Sequence, residues 1–169
     1  MTKPEETVAA ILHAANGTLI GRVRLQKIFY LLDQLGLKSG FDYEYHHYGP
    51  YSADLSVAVA DARAFGKIDE EISARVSDGV AYSIYKLKPD TKVESGAYGK
   101  IGERRAKELI ASLKGEDATV LELAATIHWL KHKERIGKWD EELRRRKGAK
   151  VQSGRAAKAK KLLVDLQLL

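Results

Sequence analysis

Two histidines, His128 and His132, have a spacing that could support metal chemistry. Positions four apart lie on one face of a helix, so the two imidazoles could share a metal ion. The glutamate of the metalloprotease pattern is missing between them, and the sequence offers no obvious third ligand. We favour partly buried packing residues, with a ligand pair as the alternative, and we predict no metal and no other cofactor.

Two carboxylates, Asp54 and Asp61, fall on roughly one side of a predicted helix and could in principle act as a pair. Without metal ligands or a lysine partner, we interpret them as a solvated stripe. The phosphate-binding loop and the Gly-x-Ser-x-Gly pattern are both absent from the sequence. We therefore predict no catalytic residue, and an enzyme is the third and least favoured function class.

A tyrosine-rich stretch over residues 41–52 could bind a partner. Its apolar and polar residues alternate up to residue 47, which predicts a short half-buried strand. Pro50 has no N–H to donate, so we expect the strand to break there in a turn. Tyrosine is favoured at protein interfaces, and the turn therefore predicts a protein-binding site. The residues of that site are Tyr48, Gly49, Pro50 and Tyr51.

Basic residues are concentrated near the C-terminal end. Residues 143–161 carry nine basic and no acidic side chains, so with a net charge of +6 the rest of the chain is −3. This asymmetry favours a localised anionic partner, and a solvated helix face is the alternative. If DNA or RNA is bound, we expect phosphate contacts that read no sequence. The predicted contacts are Arg22, Arg24, Lys27, Arg144, Arg145, Arg146, Lys147 and Lys150.

Hydrophobic periodicity predicts the elements that position these residues. Helices are predicted over 7–15, 22–35, 52–65, 101–113, 119–133 and 153–167, and a short amphipathic turn or helix over 139–147. Gln26 and Lys27 fall on the solvated face of the second helix. Asp78-Gly79, between the alternating segments 72–76 and 80–87, predicts a β-hairpin.

The third predicted helix is apolar on both sides. Leu55, Ala58, Val59, Ala62 and Phe65 form its main stripe, and Val57, Ala60 and Ala64 form a second patch on the opposite side. A later helix or a second subunit is expected to cover that second patch, which makes a homodimer one partner class.

These elements predict a mainly α fold with a small β-hairpin or sheet. The order helix, helix, helix, hairpin is that of a winged-helix domain. We therefore predict a single α-rich domain over 1–169, with a winged-helix-like core in 1–88 and C-terminal helices in 89–169. The strand before the third helix does not fit the simplest winged helix. The net negative charge of the third helix also argues against insertion into a DNA groove.

Composition sets the outer limits. The 169 residues are 44% hydrophobic and 31% charged, which is typical of a globular protein. The absence of cysteine excludes disulfides and thiolate catalysis. No apolar run approaches the ~20 residues of a membrane span, and the N-terminus lacks a signal-peptide pattern. We predict a cytoplasmic protein with no membrane partner.

Two short motifs carry a resemblance to known proteins. With Leu25, Gln26, Lys27, Tyr30, Tyr48, Gly49, Pro50 and Tyr51, the chain resembles the YwgA-like bacterial proteins of unknown function. More distantly it resembles the Panacea (SocA-like) domain of toxin–antitoxin loci. The good part of the resemblance covers about residues 18–87, with a weaker echo at 121–166. It implies a bacterial or phage-related protein with an antitoxin-like role, for which a toxin is one partner.

Two function classes follow for this sequence. The first is a non-catalytic protein-binding module, antitoxin-like or regulatory. The second is a nucleic-acid-binding transcriptional regulator of winged-helix type.

Overall fold

The computed structural model describes residues 2–169, and every element below lies within that range. The first half contains α1 Pro4–Ala14, β1 Thr18–Ile20, α2 Arg22–Gln34, β2 Glu44–His46, β3 Gly49–Tyr51, α3 Ala53–Ala64, β4 Ile68–Ala74 and β5 Ala81–Leu87. The second half contains α4 Glu103–Lys114, α5 Ala118–His128, α6 Trp139–Lys147 and α7 Arg155–Asp165. Short 3₁₀ turns lie at Ser95–Tyr98 and Gly148–Val151, and a π-helical turn at Trp129–Lys133 extends α5. The prediction of a mainly α fold with a small sheet is confirmed, and the winged-helix-like arrangement stays a prediction.

The larger sheet has three antiparallel strands in the order β1-β5-β4. Its β4–β5 hairpin encloses the predicted Asp78-Gly79 turn, but β4 begins at Ile68 rather than near residue 72. The strand β1 was not predicted, because three residues are too few to show a period of two. In the sheet, Leu19 pairs with Tyr85, and both side chains are buried.

The hydrophobic core combines side chains from both predicted parts of the chain. Helix α5 is buried over every residue from Val120 to His128 and packs against α2 and α7. This central position agrees with a helix that is apolar around most of its circumference. Among the described residues, no helix combines the length and the apolar character needed to cross a bilayer.

Helix α3 differs from its prediction on two faces. Phe65 was placed on the buried stripe, but it lies at the C-cap and its side chain is 66% exposed. On the opposite side, Val57, Ala60 and Ala64 are also exposed, so no later helix of residues 2–169 covers this patch. Coverage by a second subunit stays a prediction.

The tyrosine-rich stretch forms a second hairpin rather than one strand ended by proline. Pro50 lies inside β3 and pairs with Tyr45 of β2, so the turn consists of His47 and Tyr48. Proline is tolerated here because an outer edge of a two-stranded ribbon needs no N–H donor. Ser52 then caps α3 as predicted, since its hydroxyl accepts from the Leu55 N–H at 3.2 Å.

This hairpin approaches α5 closely at Gly49. The residue has φ +88, and a Cβ added there would lie 2.6 Å from Thr126 Oγ1. The Thr126 hydroxyl donates to the Glu122 carbonyl at 2.8 Å, which limits its freedom to move aside. Both the backbone conformation and the contact therefore require glycine.

We expect Gly49→Ala to lower the free energy of unfolding by about 2 to 4 kcal/mol, from backbone strain and overpacking together. Gly40→Ala is the matched control, because Gly40 has φ +81 with nothing within 4 Å of an added Cβ. That variant should lose only about 1 kcal/mol. Urea unfolding measures both losses, and equal values would contradict the close packing of the hairpin on α5.

Candidate functional site

The site is built on the β2–β3 hairpin and the side chains beneath it, which we call the hairpin site: residues 44–52 with Gln26, Lys27, Glu122, Lys147 and Lys150. Gln26 connects α2 to the start of α3. Its amide donates to the Ser52 carbonyl at 2.9 Å and accepts from the Ser52 N–H at 2.8 Å. Gln26 is only 6% exposed, so its assignment to a solvated face was wrong. Through these two hydrogen bonds, the Gln26 amide pairs with the Ser52 backbone as a neighbouring strand would.

Lys27 holds the next part of the hairpin. Its side chain is 1% exposed, and its Nζ donates to the Pro50 carbonyl at 2.5 Å. Burial lowers the pKa of Lys27 to about 8, while the nearby Glu122 carboxylate opposes that shift. Lys27 was predicted to contact nucleic acid, but a buried ammonium group cannot reach a phosphate, so this prediction is wrong for the described structure.

A buried carboxylate, Glu122 of α5, lies at the centre of the hairpin site. The Lys147 Nζ is 3.1 Å from Glu122 Oε2, and both of these side chains are almost fully buried. Lys150 Nζ donates to both Glu122 oxygens at 3.0 Å. Lys147 also donates to the His47 carbonyl at 3.3 Å. The lysines of α6 and of the turn after it therefore fasten the hairpin turn to α5.

The two tyrosines of the predicted protein-binding site lie on the outside. Tyr48 is 50% exposed, and Lys150 Nζ lies 4.8 Å from the centre of its ring. Tyr51 is half-buried, stacks on His46 at 4.7 Å and shares a 2.8 Å hydrogen bond with the Ser56 hydroxyl. By contrast, Gly49 and Pro50 are buried and support the two rings from below.

The tyrosines of β2 and of the segment before it, Tyr45 and Tyr43, are half-buried and engaged with neighbouring side chains. Tyr43 donates its hydroxyl to Asp33 Oδ2 at 2.7 Å, and burial raises its pKa far above the usual range. Tyr45 lies beneath the Arg146 guanidinium, 4.8 Å from the ring centre. These two rings therefore belong to the support of the hairpin.

Five of the nine basic side chains in the C-terminal segment pair with four carboxylates from outside it. Arg146 makes two hydrogen bonds to Glu134, at 2.7 and 2.8 Å, and a third to Glu142. Arg145 also pairs with Glu142, and these hydrogen bonds lower the Glu142 pKa to about 2. Arg144 is exposed. The nine positive charges therefore do not form one free basic surface.

The remaining predicted nucleic-acid contacts lie at the start of α2. Arg22 is exposed and pairs with Glu70 at 3.4 Å. Arg24 donates to the carbonyls of Ile20 and Glu116, at 2.8 and 3.1 Å. Arg24 is thus engaged with backbone groups of the protein, whereas Arg22 keeps an accessible guanidinium.

Of the two predicted histidines, His128 packs in the core next to the hairpin site and His132 lies at the surface. His128 is buried, and its Nδ1 lies 2.7 Å from the Tyr30 hydroxyl. Burial lowers the pKa of His128 to about 4, so the ring is neutral and shares this hydrogen bond with the Tyr30 phenol. The exposed His132 lies beside it, with ring centres 4.5 Å apart, and bonds the Leu168 carbonyl. Residues 2–169 contain no group of three or more His, Cys, Asp or Glu side chains that could hold a metal ion.

Sequence reasoning missed Glu122, yet a signal was present. It is the only charged residue between Thr119 and Lys131, within an otherwise apolar helix. An ionised carboxylate in such a position needs a buried cation, because an unpaired buried charge is very costly. That rule could have predicted a lysine partner for Glu122, although not which lysine.

Comparison with known proteins gives two partial matches, and no protein-family model matches the chain. Over 151 residues, 82% of this chain, the sequence is 28% identical to a DNA ADP-ribosyl glycohydrolase of Thermus aquaticus. Over 55 residues, 32% of this chain, it is 33% identical to the uncharacterized protein YwgA of Bacillus subtilis. The chain spans 40% of the length of the first relative and 33% of the second. The resemblance to YwgA is supported over that segment, and the relation to the Panacea domain stays a prediction.

The hairpin site predicts an alkaline rise in stability. Between pH 8 and about pH 10 the unfolded chain keeps the proton of Lys27, whereas the folded chain releases it. The free energy of unfolding should therefore rise by roughly 2 kcal/mol over this interval. Above about pH 10 the buried tyrosines reverse the trend, because their phenols ionise first in the unfolded chain.

Lys27→Met should abolish this rise, because it removes the ammonium group whose pKa is lowered by burial. Lys158→Met is the control, since Lys158 is exposed and should leave the rise intact. Denaturant unfolding at intervals from pH 7.5 to 10 measures the effect. An equal rise in both variants would place its origin outside Lys27.

Proposed function

We propose that this chain is a non-catalytic protein-binding module, antitoxin-like or regulatory, that docks a partner through Tyr48 and Tyr51. The observation that carries the proposal is an exposed tyrosine on a turn whose supporting residues are buried and hydrogen-bonded. Aromatic rings presented on a rigid support lose little conformational entropy on binding. The hairpin site has this construction, because Lys27 and Lys147 each bond a backbone carbonyl of the hairpin.

The polar and charged groups of the hairpin site support a binding role over a catalytic one. Gln26 and Lys27 are occupied by backbone groups, and Glu122 is shared between two lysines. Side chains that already satisfy one another hold a surface in place. We therefore assign no catalytic role to these residues.

The Thermus aquaticus relative fits a modular role. Its name describes a glycohydrolase for ADP-ribosyl groups on DNA, and 60% of its length lies outside the match. We infer that this chain corresponds to a partner-binding part of such a system, and we do not transfer the glycohydrolase activity to it. A partner that itself acts on DNA is consistent with that relative.

A second candidate function is DNA binding by a winged-helix-like core. Its support is the element order α1-β1-α2-α3-β4-β5, interrupted by the β2–β3 hairpin, together with the sheet order β1-β5-β4. Against it, the polar side chains of α3 include two carboxylates, Asp54 and Asp61, and a single cation, Arg63. Phosphates would be repelled by such a helix. We therefore rank this function below protein binding.

The protein-binding proposal predicts that Tyr48→Ala with Tyr51→Ala weakens association with the physiological partner by more than ~2 kcal/mol, the size of a hot-spot loss. The partner is first captured from the native host on immobilised wild-type protein, with and without nuclease. After its identification by mass spectrometry, the purified partner is titrated by calorimetry.

Tyr82→Ala is the matched control, because Tyr82 is a partly exposed tyrosine of β5, outside the hairpin site. It should bind the partner as the wild type does. Circular dichroism must show that the double variant is folded. Loss of the fold would mean that the rings are structural, and unchanged affinity in a folded double variant would move the docking surface elsewhere.

The second function gives its own prediction. Each phosphate contact contributes a slope of nearly one to log affinity against log salt. Arg144 is exposed, whereas Arg146 is held by Glu134, so Arg144→Gln should lower a DNA slope by about one unit. Fluorescence anisotropy at several salt concentrations measures the slope. Tight binding of one DNA sequence at 0.2 M salt would show that the protein recognises bases, and it would contradict a DNA-binding mode made of phosphate contacts alone.

A further inference from the structure

The lysines of the hairpin site outnumber their counter-charge. Two ammonium groups, from Lys147 and Lys150, contact the single carboxylate of Glu122, and a third, from the buried Lys27, is near enough for that carboxylate to act on its charge. The positive charges of Lys147 and Lys150 also contribute to the lowered pKa of Lys27. Among residues 2–169, the recorded contacts of these lysines include no second carboxylate.

This imbalance is unfavourable where water is excluded. Lys27 and Glu122 are 1% and 3% exposed, and Lys147 is 7% exposed. Like charges in a poorly solvated place repel one another strongly, since the effective dielectric constant is well below that of water. A further anion placed against the cluster would relieve this repulsion.

Of the residues that form the cluster, Lys150 is the one that reaches the surface. The Lys150 side chain is 38% exposed, and Tyr48 beside it is 50% exposed. The Lys150 ammonium has three N–H donors, and its two recorded hydrogen bonds go to the Glu122 oxygens. The third donor is thus left for a group that approaches from outside, next to the Tyr48 ring.

We propose that Lys150, with Tyr48 as its wall, binds one carboxylate side chain of a protein partner, an aspartate or a glutamate. The inference rests on the proposed protein-binding function and adds the chemistry of the contact. The partner's carboxylate accepts from Lys150, and Lys147 and Lys27 behind it add attraction. Tyr48 excludes water from one side, which strengthens the ion pair.

A single carboxylate fits this place better than a nucleic-acid strand. Glu134 and Glu142 neutralise Arg145 and Arg146, Glu44 is an exposed carboxylate of the hairpin, and the Arg155 guanidinium is engaged with the Lys150 and Ala149 carbonyls. A strand would bring a row of phosphates across these carboxylates. An isolated negative side chain meets only the lysine cluster.

The test uses the full chain and three probes: a short peptide with one central aspartate, the same peptide with asparagine, and oligothymidylate. Two-dimensional NMR of the Lys150 side chain and the Tyr48 ring reports binding. We expect saturable shifts with the aspartate peptide, with a dissociation constant on the order of 1 mM or weaker, because one ion pair at a partly exposed lysine contributes little binding energy. The asparagine peptide should give none.

Two variants sharpen the assignment. Lys150→Gln should lower the affinity for the aspartate peptide about tenfold or more, because a charge-assisted hydrogen bond is lost. Lys150→Arg keeps the positive charge and should retain binding. Glu122→Gln should raise the affinity for the aspartate peptide about tenfold, because the Glu122 carboxylate no longer competes with the peptide carboxylate for the lysines. Lys158→Gln, which removes an exposed cation of helix α7, is the control and should leave the affinity unchanged. If Glu122→Gln does not fold, the Lys150 variants still decide.

The outcomes separate the two proposals. Equal shifts with both peptides, or unchanged affinity in Lys150→Gln, would overturn the carboxylate site. Stronger competition by oligothymidylate would overturn it in favour of nucleic acid. If the aspartate peptide fails while the Tyr48 and Tyr51 double variant loses its protein partner, the site is wrong and the function stands. If the peptide binds but no protein partner depends on those tyrosines, the function is wrong and the anion site stands.

Discussion

The structure depends on one buried ammonium group. Lys27 is almost fully excluded from water, so its charge must find an acceptor inside the protein, and the Pro50 carbonyl supplies it at 2.5 Å. Because proline has no N–H, that carbonyl is the only hydrogen-bonding group that Pro50 offers. The contact fixes the hairpin relative to α2. Gln26 extends the attachment by two hydrogen bonds to Ser52, at the entrance of α3.

The same ammonium group explains why α5 carries a charge. A cation held under a hairpin is tolerated when a carboxylate lies nearby, and Glu122 fills that role from an apolar helix. Glu122 in turn attracts Lys147 and Lys150, which brings the end of α6 against the hairpin turn. One buried charge therefore joins four segments that are distant in sequence. The excess of cations is the consequence, and it is concentrated next to an exposed tyrosine.

Elements set by local pattern could be predicted from the sequence, and those set by distant partners could not. The bounds of α6 at Trp139 and Lys147 and the Asp78-Gly79 hairpin follow from short-range signals and were correct. A helical wheel placed Lys27 on a solvated face, because it counts charge and ignores what the rest of the chain later covers. Pro50 was expected to end a strand because the pairing of β2 with β3 was not recognised from the sequence.

The motif behind the family resemblance is mostly a scaffold. Of its residues, those buried in the structure are Leu25, Gln26, Lys27, Tyr30, Gly49 and Pro50. Their identities are required by packing and hydrogen bonding inside the chain, so they can be shared by proteins that bind different partners. Tyr48 and Tyr51 are the accessible members of the motif. Lys150, outside the motif, sets the charge beside them, so under the proposed protein-binding function we expect partner specificity to vary with the residue at that position while the hairpin remains the same.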